Sequence, residues 1–260
     1  MLNKENYYSP EMNERYWSAS LIKDFLDCEA RALATLRGEY VRPSSTALLV
    51  GSYVDAHFEG PEASAEFVQN HPEIFNSRTG ALKADYAKAD EMIARAEADE
   101  VFKEYLTGEK QTIMTGKIFG FDFKAKFDVY LPGKRIVDLK TVKDLKPLYK
   151  EGEGRLDPIA YWSWSLQASI YQAIEGNHLP FYLAIITKED PPVTHLFQID
   201  QRVLDAELEY LKMKLPRFDA IRQGIIEPKR CEDCAFCRET SKVTEPVLYT
   251  GDFKEEVIHE

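Results

Sequence analysis

The chain has 260 residues, 44% of them hydrophobic and 12% aromatic, enough apolar material for a sizeable core in one large domain. Its formal net charge of −11 excludes a protein that coats nucleic acid indiscriminately. The amino terminus lacks the basic-then-apolar design of a signal peptide, and the longest apolar runs, such as FYLAII, are too short to span a bilayer, so a cytoplasmic, membrane-free protein is expected.

In chain order, a first helix is expected after YWSAS, with Ser18 or Ser20 as its cap and Leu21, Ile22, Phe25 and Leu26 as its apolar stripe. A second covers STALLVGSYVDAHFEG and ends at Gly60 and Pro61. Residues 84–106, rich in Ala, Glu and Lys, form a polar surface helix by propensity. The period then changes. From 119 to 129 the odd positions are Phe, Phe, Phe, Ala, Phe and Val, while 122, 124, 126 and 128 are Asp, Lys, Lys and Asp, which marks a strand with one buried face. LPGK is a turn, and 135–141 is its hairpin partner. A helix at about 158–176, strands near 181–187 and 193–199, and a long helix over about 201–222 follow. That last helix carries Leu204, Leu208, Leu211, Leu215 and Phe218 on one side, and Pro216 is expected to kink it. The order describes a mixed α/β domain.

The basic residues are concentrated: 101–150 hold eleven Lys and Arg against six Asp and Glu. Such a surface meets phosphates while the acidic remainder keeps the molecule soluble, although an ordinary solvated charge pattern fits as well. Within this window Asp138 and Lys140 stand two apart on a strand, hence on one face roughly 6–7 Å apart. If the 119–129 and 135–141 strands pair through the turn, Asp128 converges with Asp138. Adjacent carboxylates repel unless a cation sits between them or one takes a proton, and oxygen-only ligands suit Mg²⁺ or Mn²⁺. The same spacing also fits a salt-bridge ladder across a hairpin.

FDVY followed by IVDLKT resembles the core of the PD-(D/E)xK nuclease superfamily, in particular the branch with RecB-type and RecE-type nuclease domains. The resemblance implies a restriction-endonuclease-like α/β fold with a mixed central sheet flanked by helices. It covers about residues 20–240 of a single 1–260 nuclease domain, core about 45–200, with the amino-terminal helix and the cysteine segment packed together. It also implies Asp128 and Asp138 as metal-binding acids, the Leu139 carbonyl as a further ligand, and Lys140 as the catalytic lysine. Gln167 and Tyr171, four apart on one helical face, match the Q-x-x-x-Y motif that follows, although Tyr171 also suits a core position. Upstream, GSYVDAHFEG departs from the branch's pattern. Asp55 stands at the expected histidine position with Glu59 one turn later, and His57, two residues off, competes with them. Solvated helix acids are the alternative for both carboxylates. Lys124, Lys126, Lys143 and Lys146 are candidates for phosphate contacts, and Trp162 and Trp164 for base stacking or for the core.

The four cysteines are Cys28, Cys231, Cys234 and Cys237, the last three in CEDCAFC and Cys28 inside the helical stretch FLDCEARAL. Closely spaced thiolates suit zinc or an iron–sulfur cluster, with reduced unliganded thiols as the third reading. One cysteine before the core and three after it resembles the four-iron, four-sulfur staple of AddB-type helicase-nucleases and CRISPR-adaptation nucleases, though those space the last cysteine further away. The whole order of motifs is most similar to the phage-type RecE-like group. That likeness implies a Mg²⁺-dependent exonuclease resecting linear duplex DNA 5′ to 3′ in the cytosol of a bacterium or phage-infected host. A RecT-like single-strand annealing protein is the implied partner, and assembly of several copies is compatible with it. A non-catalytic DNA-binding scaffold of the same fold, and a nuclease of other polarity or single-strand substrate, are the competing classes.

Overall fold

The computed structural model describes residues 2–243 and 245–246. These form two compact units, one built from residues 2–19 and 43–213, the other from 20–42 and the described residues from 214 onward. In the larger unit, a five-stranded sheet runs in the order β1 (Glu109–Ile118), β2 (Phe121–Leu131), β3 (Arg135–Val142), β6 (Phe181–Thr187) and β7 (Thr194–Gln198). β1, β2 and β3 are an antiparallel meander, β6 lies parallel to β3, and β7 returns antiparallel. The mixed α/β fold of the expectation is thus observed.

Placing β3 in the middle explains its burial. Val137, Asp138 and Leu139 are all buried, because a central strand with a parallel neighbour is covered on both faces. The register pairs Val129 with Val137 and Tyr130 with Ile136 near the turn, and the pairing stops there, before Asp128 and Asp138. Beyond that point β3 bonds along its length to β6 instead, from Ile136–Phe181 to Val142–Thr187. One core cluster joins Val129, Val137 and Leu139 of the sheet to Val50 and Val54 of α4 (Thr46–Glu59) and Met92 and Ile93 of α6 (Ala84–Glu97). α9 (Trp164–Glu175) packs on β1, where Gly116 lets the strand approach Ile174 closely.

Several boundaries differ from the expectation. The strand expected from 119 begins at Phe121, because Phe119 and Gly120 both have positive φ (52° and 88°) and turn the chain back into β1. Phe119 is therefore outside the buried face and 40% exposed. β1 itself was not anticipated, nor were α5 (Pro61–Asn70) and the short β4–β5 hairpin (Leu148–Lys150, Gly154–Leu156). The polar helix at 84–106 ends at Glu97, and Asp99 caps a separate α7 (Glu100–Tyr105) by accepting from Phe102 N–H at 3.1 Å. The helix expected over 158–176 divides into α8 (Pro158–Tyr161) and α9, since Ser163 takes a left-handed φ of 51°. α10 (Gln201–Arg222) runs as one element with Pro216 inside it.

In the smaller unit, the expected first helix is two: α2 (Ala19–Asp27) and α3 (Glu29–Leu36). Cys28 is not in a helix interior. It is extended (φ −162°, ψ 108°) and caps α3, its Sγ accepting from Arg31 N–H at 3.5 Å. Glu29, 8% exposed, takes a bidentate pair from Arg217 at 2.7 Å and 2.7 Å and a third bond from Lys229 N–H at 2.7 Å. Among the described residues no helix is long and apolar enough to cross a membrane.

Candidate active site

The site lies where β2 and β3 part company. Asp128 and Asp138 fall opposite each other one step past the last paired residues, so the gap in the ladder leaves backbone groups free for side chains. Asp128 fills it: Leu139 N–H donates to its Oδ2 at 2.9 Å. Asp138, 1% exposed, receives Lys140 Nζ at 2.5 Å on one oxygen and Gln167 Nε2 at 2.8 Å on the other. The lysine and the glutamine thus both act through Asp138. Asp55 comes from α4, which packs against β3 with Gly51 facing Thr141.

The electrostatics follow from this crowding. Burial, then the neighbouring Asp138, pushes the Asp128 carboxyl well above its ordinary range, with Asp55 adding to the effect and Lys140 opposing it. Burial likewise raises Asp55 to about 7, against the pull of Lys140. Burial works against the charge on Lys140, but Asp138 and Asp128 outweigh it and hold the ammonium above its usual range. Three carboxylates therefore share a poorly hydrated spot with Lys140, while Lys110 acts with Asp128 and Lys126 with Asp55, and oxygen donors so crowded suit a bound cation. A recess of about 10 Å³, room for roughly one water or ion, is lined by Asp55, Glu59, Lys110, Gln111, Asp128 and Leu139. The hard oxygen donors around it fit Mg²⁺ or Mn²⁺.

Tyr171 is 9% exposed and packs edge-on against Phe127 and Phe181, so the core position holds, yet Asp138 and Asp128 are near enough to act on its phenol. Leu139 contributes its amide to Asp128. His57 goes elsewhere, to Glu97 at 3.2 Å, because two residues along a helix turn it away from Asp55. Glu59 lines the recess, but its carboxylate is taken by Lys4 at 2.6 Å. Lys143 and Lys146 are exposed and Lys126 is half-buried, all compatible with phosphate contact.

Lys124 is a correction. Expected on a DNA-facing surface, it is 1% exposed, and its ammonium donates to Tyr7 O and, at 2.7 Å, to Asn13 Oδ1. Burial lowers it to about 8. It is spent on holding the amino-terminal segment. Of the tryptophans, Trp164 is core and Trp162 is 50% exposed.

One residue was not anticipated at all. Gln111 stands on β1 opposite Asp128, 8% exposed, and its Nε2 reaches Asp128 Oδ1 at 3.4 Å. It holds a left-handed φ of 51° inside a strand, a conformation that costs a non-glycine residue of order 1 kcal/mol and so marks a position fixed by its surroundings.

In the smaller unit the four cysteines converge. Their Sγ atoms all lie within 4.8 Å of one another, with Cys28–Cys237 at 3.6 Å and Cys231–Cys237 at 3.9 Å. Burial raises Cys28, and raises Cys237 to about 12. At Cys231 burial is outweighed by the N–H groups of Cys234 and Asp233, which lower it to about 7. Converging thiols with backbone N–H groups aimed at them form a thiolate donor set. The spacing matches sulfurs around one tetrahedral ion; a cubane, with each thiolate on a different iron, needs them further apart.

This geometry agrees with what the chain is similar to. The model of the family described as "PDDEXK-like domain of unknown function (DUF3799)" matches residues 18–240. The chain belongs to this family. A solved crystal structure of a "Putative exonuclease" from Eubacterium rectale is 39% identical, covers 95% of this chain and 96% of its own, and superposes with a TM-score of 0.90. A second solved structure, named SSO0001, aligns at 14% identity over 75% of this chain and 84% of its own with a TM-score of 0.29, too low to bear on the fold. No curated protein matches the sequence. The PD-(D/E)xK likeness and the α/β fold are thereby established; the roles of single residues rest on the geometry above.

Proposed function

We propose that the protein is a metal-dependent deoxyribonuclease acting on the ends of linear duplex DNA. The observation that carries this is the junction of Asp128 and Asp138 across the parted strands, with the Lys140 ammonium and the Gln167 amide both on Asp138. The name of the Eubacterium rectale protein supports an exonuclease over other nucleases.

Asp128, Asp138 and Asp55 would hold Mg²⁺ or Mn²⁺, with the Leu139 carbonyl as a main-chain ligand and Glu59 able to join once released from Lys4. Such an ion, when bound, polarises a phosphodiester and lowers the pKa of a water. The chain's own residues do the rest. Lys140, tethered by Asp138, holds its charge toward the attacking oxygen and the phosphate it approaches. Gln167 fixes the Asp138 carboxylate through one oxygen while Lys140 holds the other, and Tyr171 is itself held by Phe127 and Phe181. Gln111 and Leu139 N–H do the same for Asp128. Lys126, Lys143 and Lys146 are placed to meet phosphates of the entering strand, and neutralising them gives affinity that falls with salt.

The finer reading is 5′-to-3′ resection that leaves a 3′ single strand for a RecT-like annealing protein, in the cytosol and with several copies able to assemble. Duplexes labelled at the 5′ or 3′ end, with either end blocked, test it under Mg²⁺ and under EDTA. Loss of 5′ label alone from the unblocked end supports the polarity. Loss of 3′ label first reverses it, and retention of both labels refutes the enzyme reading.

Cys28, Cys231, Cys234 and Cys237 hold a structural metal cofactor, as their convergence supports. A four-iron, four-sulfur cluster gives brown protein absorbing near 400 nm after anaerobic purification. Colourless protein with one zinc per chain, the outcome the sulfur spacing favours, makes the site a single tetrahedral ion, and metal-free protein refutes a cofactor.

A further inference from the structure

The amino-terminal segment is built onto the site's two flanks. Lys4 pairs with Glu59 of α4 at 2.6 Å, while Lys124 of β2 takes Tyr7 O and Asn13 Oδ1. Downstream, Trp17 N–H donates to Asp122 O and Trp17 O accepts from Lys124 N–H, each at 2.8 Å, pinning the segment to the start of β2. α4 and β2 are the elements that carry Asp55 and Asp128, so the segment spans from one carboxylate's element to the other's. A buried lysine spent on a backbone carbonyl is an expensive way to fix a loop, and it fixes this one.

What the segment presents there is a pair of tyrosines. Tyr7 is buried and sits under the Lys124 ammonium, 4.6 Å from its ring centre. Tyr8 is 67% exposed, edge-on to Tyr7 at 4.9 Å, with its carbonyl held by Asn13 Nδ2 at 3.3 Å and Lys126 Nζ 5.1 Å from its ring. Both tyrosines are near enough to act on the Tyr171 phenol, and Lys126 near enough to favour the ionised Asp55. An outward-facing aromatic beside a cation, on a segment pinned to the elements that carry Asp55 and Asp128, has the chemistry of a nucleotide grip: the ring offers a face to a base and the ammonium meets the adjoining phosphate.

Resting on the nuclease reading above, we infer that Tyr8 and Lys126 grip an unstacked nucleotide of a DNA strand, its base on the Tyr8 ring and its phosphate on Lys126, next to the linkage presented to Asp128 and Asp138. The grip selects single-stranded or frayed ends by stacking, with no preference among bases. Tyr8 is a positioning residue and touches no reacting atom.

The test uses the full chain with Ca²⁺ as the only divalent ion and a single-stranded oligodeoxynucleotide carrying 2-aminopurine as probe. Tyr8→Ala weakens binding about ten-fold and removes the fluorescence quench, whereas Tyr8→Phe stays within about two-fold of wild type. Lys126→Gln lowers the salt dependence by about one phosphate contact. An oligonucleotide with an abasic site in place of the 2-aminopurine binds wild type and Tyr8→Ala equally. Equal affinity and equal quench for wild type and Tyr8→Ala on the intact probe overturn the inference. If wild type cleaves no DNA yet shows the Tyr8-dependent quench, the nuclease reading fails and the grip stands. If it cleaves and Tyr8→Ala binds unchanged, the grip alone fails.

Discussion

Replacing Asp55 by Asn separates what this carboxylate does for the ion site from what it does to the fold. Burial and the adjoining acids raise Asp55 from 3.8 to about 7 in the metal-free protein. A carboxyl raised in the folded chain binds its proton more tightly there than when unfolded. The contribution of Asp55 to stability is therefore greatest below about pH 4, and falls as the pH climbs through 7. A shift of about three pH units at 1.36 kcal/mol each sets a ceiling of about 4 kcal/mol. Local relaxation and partial solvation reduce the expected loss to about 2 kcal/mol. Urea unfolding in EDTA at pH 4.5 and pH 8 measures it. Between these two conditions wild type should lose about 2 kcal/mol more than Asp55→Asn, so that the variant is the more stable protein at pH 8. Added Mg²⁺ should then restore more stability to wild type than to the variant. Groups remote from the site titrate equally in both proteins and cancel in the difference, while Asp128, relieved of the Asp55 charge, adds to it in the same direction. Parallel stability curves for the two would show that Asp55 is not buried among unbalanced carboxylates, and the ion-site argument would lose its electrostatic basis.

Glu29→Ala leaves Arg217 and Lys229 N–H without their shared acceptor and should cost about 3 kcal/mol in urea unfolding at pH 7. Burial works against the Glu29 charge, but Arg217 and Lys229 outweigh it and lower this carboxyl below 4.5. Its contribution is therefore present above pH 4.5 and is lost as the pH drops through the lowered value, where the variant and wild type should converge. Gly116→Val places a side chain where a Cβ would already meet Ile174 Cα at 3.2 Å and Ile174 O at 3.3 Å, and should lower stability by about 1–3 kcal/mol through strain between β1 and α9. Changing any one of Cys28, Cys231, Cys234 or Cys237 to Ser should lower the bound metal per chain, measured by elemental analysis; unchanged content would show that the four do not form one site.

The centre of the site was legible because it rests on strand periodicity. Alternation from 121 to 129, a Pro-Gly turn and the D-x-K spacing are enough to bring Asp128 opposite Asp138, and Gln167 one helix later reaches Asp138 as its motif implied. Gln111 was not legible, since β1 mixes polar and apolar residues without a clean period and the left-handed φ leaves no mark in sequence. Lys124 misled for a different reason. Its position on the polar face was right, but the groups that bury it, Tyr7 and Asn13, come from a segment over a hundred residues away that no local pattern connects to β2. Glu59 was assigned from helical spacing, and again a distant residue, Lys4, takes its carboxylate. Cys28 was placed in a helix because FLDCEARAL keeps helical composition across the break at residue 28.

The central claim is that the Asp128–Asp138–Lys140 junction is a nuclease centre, and a comparison of wild type with Lys140→Ala on linear duplex DNA in Mg²⁺ tests it most directly. Both proteins should bind the duplex within a few-fold of each other, and wild type should release acid-soluble nucleotides while Lys140→Ala is slower by at least about a hundred-fold, as removal of one charge-stabilising group predicts. Equal release by the two proteins, or none by either, would contradict it.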